Sequence, residues 1–226
     1  MPVLDAVRAD ENLYLMSLAA GCPRCPAPVV EDEHGWRCRD HGPITPLWRP
    51  AVADYETFAE HVTLAGTMPT YIPWPMPPGW TVTDFGCVAR PGSDGRATVL
   101  SISGPTDADG VVEVSVVTEE PGVGVGSRCA GLLRSDPGAE IGDGPPHVKL
   151  KILGRPVSLW SVLTSDADVA FDRSVFAGEA EGRWLWLVLR PASAALLLKD
   201  EWILMDVADL GPALVDLPFG GHPPPW

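Results

Sequence analysis

The chain has 226 residues, of which 46% are hydrophobic and 20% are charged. These values are typical of a globular protein with one main core, and they exclude a wholly disordered chain. Sixteen Lys and Arg against 30 Asp and Glu give a formal net charge of -14. Because such a surface repels phosphates, we expect neither a nucleic acid partner nor binding to an anionic membrane. No apolar run approaches the roughly 18 residues that a membrane-spanning helix needs.

The first motif in the chain is a pair of short cysteine and histidine knuckles. Cys22 and Cys25 form the first pair, and Cys38 and His41 repeat its spacing after twelve intervening residues. Such pairs bring four ligands to one ion, and thiolates with an imidazole suit zinc. A complete ligand set leaves no position for water or substrate, so we expect one structural Zn²⁺ ion. His34 is the competing fourth ligand, but it lies in a charged loop tip outside the knuckle pattern.

The residues between the knuckles predict two short strands, over 28–30 and 35–37. Together with the knuckles, this hairpin resembles a zinc ribbon. From residue 21 to residue 49, four arginines are balanced by four acidic residues. A basic groove for nucleic acid is therefore not expected. We expect the ribbon to dock on a partner protein or on the main body of this chain.

Composition divides the chain into five segments. These are an N-terminal extension (1–20), the zinc ribbon (21–49), a helix with a Pro/Trp-rich connecting strap (50–79), a β-rich α+β body (80–220) and a Pro-rich tail (221–226).

The connecting segment contains one predicted helix and the strap. Apolar spacing predicts an amphipathic helix that begins near Asp54 and ends at Gly66, with His61 on the surface. Five prolines and three aromatic residues then lie between Met68 and Trp80. This strap is either a ligand for an aromatic groove on a partner or a cover for the protein's own core. We favour the second, because exposure of so many large rings is unusual.

The body has the pattern of short strands separated by Gly, Asp and Pro clusters. Strands are predicted over 80–89, 97–103, 111–118, 147–153, 156–162, 174–180, 183–189 and 202–207, and a short helix over 193–198. About eight strands with few helices indicate the α+β class, with a mainly antiparallel β body and an N-terminal zinc-ribbon module.

The most motif-like part of the body is a glycine-rich loop. Gly122, Gly124 and Gly126 alternate there and precede Arg128, and a helix that opens after them would present amides to an anion. The pattern is neither a dinucleotide fingerprint nor a P-loop. His147, at a strand entrance, is the other candidate pocket residue. Two interpretations stay open: an ordinary strand-to-helix turn, and an anion- or nucleotide-type pocket.

Taken in order, these elements resemble a family of uncharacterised proteins from high-GC actinobacteria. The resemblance rests on the two knuckles and on residues 73–80, 119–124, 145–147, 184–186 and 217–220. Some similar proteins carry the name phosphotransacetylase, but this sequence contains no residue set for acyl and phosphate transfer. Residues 1–20 lie outside the resemblance, and our hypothesis is that Met16 is the natural start.

The function that these patterns favour is that of a non-catalytic zinc-binding protein that acts as an interaction or adaptor module for a protein partner. Five cysteines, three of them in a metal pattern, do not form a disulfide framework, so we expect the cytoplasm. The alternative is a small-ligand-binding protein or an enzyme with a pocket near residues 122–128. No nucleophile constellation in the sequence supports the enzyme.

Overall fold

The computed structural model describes residues 17–164, 172–199 and 202–226. Within these ranges the strands and α-helices are β1 Leu18–Gly21, β2 Val29–Asp32, β3 Gly35–Cys38, β4 Gly42–Pro43, β5 Leu47–Pro50, α1 Tyr55–Ala65, β6 Tyr71–Pro73, β7 Thr81–Val88, β8 Ala97–Thr106, β9 Gly110–Glu119, α2 Val125–Ala130, β10 Val148–Ile152, β11 Arg155–Ser161, β12 Ser174–Ala180, β13 Arg183–Arg190 and β14 Ile203–Asp206. Short 3-10 helices cover Ala192–Lys199, Val207–Asp209 and Gly211–Asp216.

Most of the described strands belong to one sheet. Eleven of them follow the order β1-β5-β7-β8-β9-β13-β12-β11-β10-β14-β6, and the described β2, β3 and β4 form a second sheet. Neighbours in the large sheet are antiparallel except β10 and β14. The predicted class, α+β with a mainly antiparallel body, is confirmed. In the described part of the chain, no helix is long and apolar enough to cross a membrane.

The central strands bury apolar side chains on both of their faces. In β13, Leu185 and Leu187 belong to the core of the first face, which also contains Phe58 of α1. Trp186 and Val188 alternate with them and belong to the core of the second face, which is covered by α2. Side chains alternate along a strand, so one run of apolar residues supplies two cores.

The ribbon is the chain segment that connects β1 to β5, two strands that pair directly in the large sheet. β1 ends at Gly21, directly before Cys22, and Gly21 pairs with Leu47 at the start of β5. The strands predicted over 28–30 and 35–37 are confirmed as β2 and β3. Because one strand pair holds both ends of the ribbon, the ribbon lies at a defined position on the body.

Helix α1 has the predicted bounds, with Asp54 as its N-cap and Gly66 as its C-cap. The predicted surface position of His61 is wrong, since its side chain is fully buried. It stacks on Phe58 and lies 3.0 Å, through Nε2, from the hydroxyl of Thr70. Residue 61 is three positions after Phe58 and therefore shares the core-facing side of the helix.

The strap packs on the protein's own core, as predicted. Tyr71 and Trp80 are each only 4% exposed. Residues Tyr71–Pro73 form the edge strand β6, which pairs with β14. The strap is therefore a structural cover of the first face.

The tail crosses the edge of β7 that β5 leaves free. Phe219 bridges to Val82 in parallel, and the amide of Gly220 donates to the carbonyl of Val82 at 3.0 Å. Phe219 also packs against Phe58 of the first core, whereas Trp226 packs against the second core. The tail thus connects the two faces of the sheet.

Candidate metal centre

Cys22, Cys25, Cys38 and His41 come together within the ribbon. The Sγ of Cys25 lies 3.6 Å from the Sγ of Cys38. The Nδ1 of His41 lies 3.5 Å from Cys22, 3.4 Å from Cys25 and 3.7 Å from Cys38, measured to each Sγ. A tetrahedral ion with bonds of about 2.0–2.3 Å separates its ligands by roughly 3.3–3.8 Å. These four side chains can therefore hold one metal ion.

The hairpin of the ribbon produces this geometry. The first knuckle precedes β2, and the second begins with Cys38 at the end of β3, where Cys38 pairs with Val29 of β2. In the first knuckle the amide of Arg24 donates to the Sγ of Cys22 at 3.5 Å. In the second, Gly42 has a φ of 69°, and it continues the turn after His41 into β4. Each knuckle thus turns two side chains toward the same point.

Burial and hydrogen bonding act differently on two of the thiols. Burial raises the pKa of the Cys22 thiol to about 12. For Cys38, burial raises the pKa but hydrogen bonds from the His41 side chain and from the amides of Asp40 and His41 lower it, to about 6 overall. A metal cation must therefore displace a proton from Cys22, and its binding is coupled to proton release.

The competing ligand, His34, lies away from this cluster. Its side chain is 76% exposed at the hairpin tip, with Nδ1 3.8 Å from Glu33 and 3.9 Å from Asp32. The preference for His41 as the fourth member of the cluster agrees with this placement.

Hydrogen bonds attach the first knuckle to the body. The Arg24 guanidinium donates to the carbonyl of Val123 at 3.1 Å and to that of Gly122 at 2.5 Å. In return, Arg128 of α2 donates to the backbone carbonyl of Cys22. The metal centre is therefore bonded directly to the glycine-rich loop and to the helix that follows it.

An aromatic contact attaches the other side of the ribbon. Trp36 of β3 meets Trp48 of β5 edge to face, with ring centroids 5.5 Å apart. Trp48 is buried and donates from Nε1 to the carbonyl of Ala89 at 3.0 Å. Such a pair adds to the apolar burial and orients the ribbon on the sheet.

The glycine-rich loop opens α2, and its amides bind a carboxylate of this chain. Glu119 accepts from the amides of Gly124 at 2.9 Å, Val125 at 2.7 Å and Gly126 at 3.2 Å. Burial raises the pKa of Glu119 to about 7, against the effect of these three bonds. The alternative of an external anion at this loop meets a physical obstacle, because an internal carboxylate already occupies the amides of Gly124 and Gly126.

Backbone conformation explains one of the loop glycines, and close packing explains another. Gly124 has a φ of 97°, a conformation that favours glycine. A Cβ on Gly126 would overlap the indole of Trp186. Glycine at these positions therefore serves the backbone turn and the close approach of α2 to β13.

The structure places the remaining two candidate pocket residues on different elements. Arg128 points to the ribbon and to Trp226, whose ring centroid is 5.2 Å from its Cζ. His147 is exposed, and its Nδ1 accepts from the amide of Ser161 in β11 at 3.2 Å. The contacts that the structure describes for Arg128 and His147 thus do not join them in one pocket.

A cleft of about 490 Å³ lies between the ribbon and the body. Its lining includes Arg24, Trp36, Pro43, Ile44, Arg90 and Arg96. These residues come from the first knuckle, from β3, from residues 43–44 and from the β7–β8 connection. Sequence reasoning missed the cleft because no local pattern relates these four segments.

Residues 16–225 match the model of a family of unknown function, DUF6758. Neither a curated protein nor a solved structure matches the chain. The expectation of an uncharacterised family is confirmed at this level. Since the match covers nearly the whole sequence, the chain belongs to the family of unknown function DUF6758.

Proposed function

We propose that the protein is a non-catalytic, cytoplasmic zinc-binding interaction module. In this proposal a structural Zn²⁺ holds the ribbon on the body, and the cleft between them binds an acidic segment of a partner protein. The observation that carries the proposal is the four-residue cluster in a ribbon whose first knuckle is bonded to the cleft-lining loop. Nucleic acid stays outside the proposal because the chain has a net charge of -14.

The donor set supports zinc as the metal. Three thiolates and one imidazole suit a borderline-soft ion, whereas Mg²⁺ and Ca²⁺ prefer oxygen ligands. Four protein ligands complete a tetrahedron, so the ion would have no position for a reacting water. Bound zinc would supply folding free energy to a ribbon whose strands are only two to four residues long.

The charge of the cleft supports an acidic partner. Arg24, Arg90 and Arg96 line it, together with one carboxylate, that of Glu31. Arg96 is bonded to Glu120 at 2.7 Å, whereas Arg90 is exposed to solvent. A positive cleft on a negatively charged protein steers an acidic segment to this place and away from the rest of the surface.

The apolar part of the cleft supports a protein ligand. Trp36 and Ile44 line it beside several prolines. Interfaces between proteins commonly place an apolar anchor in a pocket with a charged rim. An acidic segment with one large apolar residue would therefore fit both the charge and the lining of the cleft.

Metal analysis tests the first half of the proposal. Elemental mass spectrometry of the purified wild type should find about one zinc per chain. The Cys25→Ser and His41→Ala variants should lose it, and the control His34→Ala should keep it. Full zinc in His41→Ala together with its loss from His34→Ala would show that the ligand set is different.

Peptide selection tests the second half. A displayed peptide library selected on the zinc-loaded protein should yield acidic sequences that contain a large apolar residue. Arg90→Glu should weaken the binding of a selected peptide at least about tenfold. The control Arg155→Glu changes an exposed arginine on β11 and should leave the affinity unchanged. Selected peptides without acidic residues, or equal effects of both variants, would contradict the proposal.

A further inference from the structure

Two arginines on the second face of the sheet stack on one indole. Arg49 of β5 and Arg128 of α2 have their Cζ atoms 3.8 Å and 5.2 Å from the ring centroid of Trp226. Trp226 reaches this place because the tail crosses the free edge of β7. Three segments that are far apart in sequence therefore meet beside the ribbon.

The two guanidinium groups lie near one buried carboxylate, that of Asp84. Arg49 forms an ion pair with the buried Asp84, with 2.6 Å between Nη2 and Oδ2. Arg128 bonds instead to the backbone carbonyl of Cys22, and no carboxylate in the described ranges forms an ion pair with it. Like charges held together in an acidic protein favour a negatively charged ligand.

The same three side chains hold unused hydrogen-bond donors. The Nε of Arg49, the Nε of Arg128 and the Nε1 of Trp226 are buried, and none meets an acceptor among the described residues. Burial of an N–H group without an acceptor costs free energy, and all three of these atoms are such donors. Stacking on an indole gives the in-plane N–H groups of a guanidinium no acceptor, because the ring contacts only its face. An oxyanion complements both the donors and the charge.

We propose that Arg49 and Arg128, with Trp226 beside them, bind an oxyanion, a phosphate or carboxylate group of a small molecule. This site is distinct from the ribbon–body cleft, since none of these three residues lines that cleft. It is also distinct from the glycine-rich loop, whose amides bind Glu119. The protein would thus hold a small anion in addition to a protein partner.

A different role for Arg128 must be separated from this one. Arg128 donates to the backbone carbonyl of Cys22, one of the four residues of the candidate metal centre. Its positive charge would then serve only to offset the negative charge of a zinc centre with three thiolates. Zinc content and anion binding therefore have to be measured on the same samples.

The test titrates the full-length, zinc-loaded protein in a low-chloride buffer by isothermal calorimetry. Inorganic phosphate and propionate are the two probes, and they distinguish a phosphate from a carboxylate ligand. Saturable one-site binding of either probe is expected. Arg128→Gln should weaken it at least about tenfold while zinc stays bound, and the control Arg155→Gln, at an exposed position of β11, should bind as the wild type does.

A second measurement on the wild type does not depend on a variant that folds. The arginine Nε–Hε resonances are followed by NMR during the same titrations, and those of Arg49 and Arg128 should shift most. Absence of saturable binding at millimolar concentration, or shifts confined to other arginines, would overturn the proposal. So would an Arg128→Gln variant that loses zinc but keeps its anion affinity, because Arg128 would then serve the metal centre alone.

Discussion

Arg24 in the first metal knuckle donates from Nε to the carbonyl oxygen of Val123 at 3.1 Å, across a sequence separation of 99 residues. A second bond from the same guanidinium reaches the carbonyl of Gly122 at 2.5 Å. The loop that supplies both carbonyls is held by Glu119, whose carboxylate accepts hydrogen bonds from three backbone amides. The metal centre, the glycine-rich loop and a buried carboxylate are thus parts of one connected structure.

Removal of the Arg24 side chain should loosen this connection. Arg24→Ala loses two hydrogen bonds from a charged donor, so we expect the free energy of unfolding to fall by about 1–3 kcal/mol. Zinc should stay bound, because no ligand changes. The control is Arg39→Ala. The Arg39 side chain is 86% exposed, so this substitution should lower the free energy of unfolding by less than about 0.5 kcal/mol. Equal urea midpoints for the two variants would contradict this account.

Removal of the metal should act locally. After chelation, hydrogen exchange should accelerate over residues 22–43 and in the loop over 122–128, because the ribbon has too little core to fold without metal. The central strands β9 and β13 should keep their protection, since their cores do not involve the ribbon ligands. Mass spectrometry of peptic fragments measures both regions in one experiment. Unchanged exchange in the ribbon after complete zinc removal would show that the metal does not hold it.

Glu119 should make stability decrease as pH rises. Burial raises its pKa in the folded protein to about 7 from an ordinary value of 4.5. Between pH 4.5 and about pH 7 the folded state binds a proton that the unfolded state has released. As the pH rises through this range, the contribution of Glu119 to the free energy of unfolding therefore falls by up to about 1.4 kcal/mol per pH unit. Glu119→Gln does not titrate. As the pH rises from about 5 to about 8, the free energy of unfolding of Glu119→Gln should therefore increase relative to that of the wild type. Urea unfolding at each pH measures this difference. A constant difference would argue against a protonated Glu119.

His61 should have the opposite effect. Burial lowers its pKa in the folded protein to about 3 from 6.5, so the unfolded state binds the proton first as the pH falls. Its contribution is complete above pH 6.5 and is lost between 6.5 and about 3. His61→Gln keeps an amide for Thr70 but does not titrate. Its unfolding free energy should decline less steeply than that of the wild type over this range, and parallel curves would contradict the burial of a neutral imidazole.

Local patterns in the sequence were sufficient for the candidate metal cluster and for most elements. Cys22, Cys25, Cys38 and His41 lie within twenty residues on one hairpin, so their spacing alone predicts that they meet. Helix α1 carries its own caps, Asp54 and Gly66. Alternating apolar residues predicted β7 to β13, because the side-chain period of a strand depends only on its own backbone. The edge strands β1 and β6, and the short strand β5 between β1 and β7, lack such a period and were found only in the fold.

The tertiary structure decided everything that depends on residues distant in the chain. For the glycine-rich loop the sequence left an ordinary turn and an anion pocket open, and only the fold places Glu119 on its amides. Arg128 and His147 were candidates for one pocket. In the fold, Arg128 bonds to the ribbon and His147 bonds to β11. The meeting of Arg49 with Trp226 has no local signal at all. Sequence periodicity reports which face of an element is buried, whereas the partner that covers this face is selected by packing between elements.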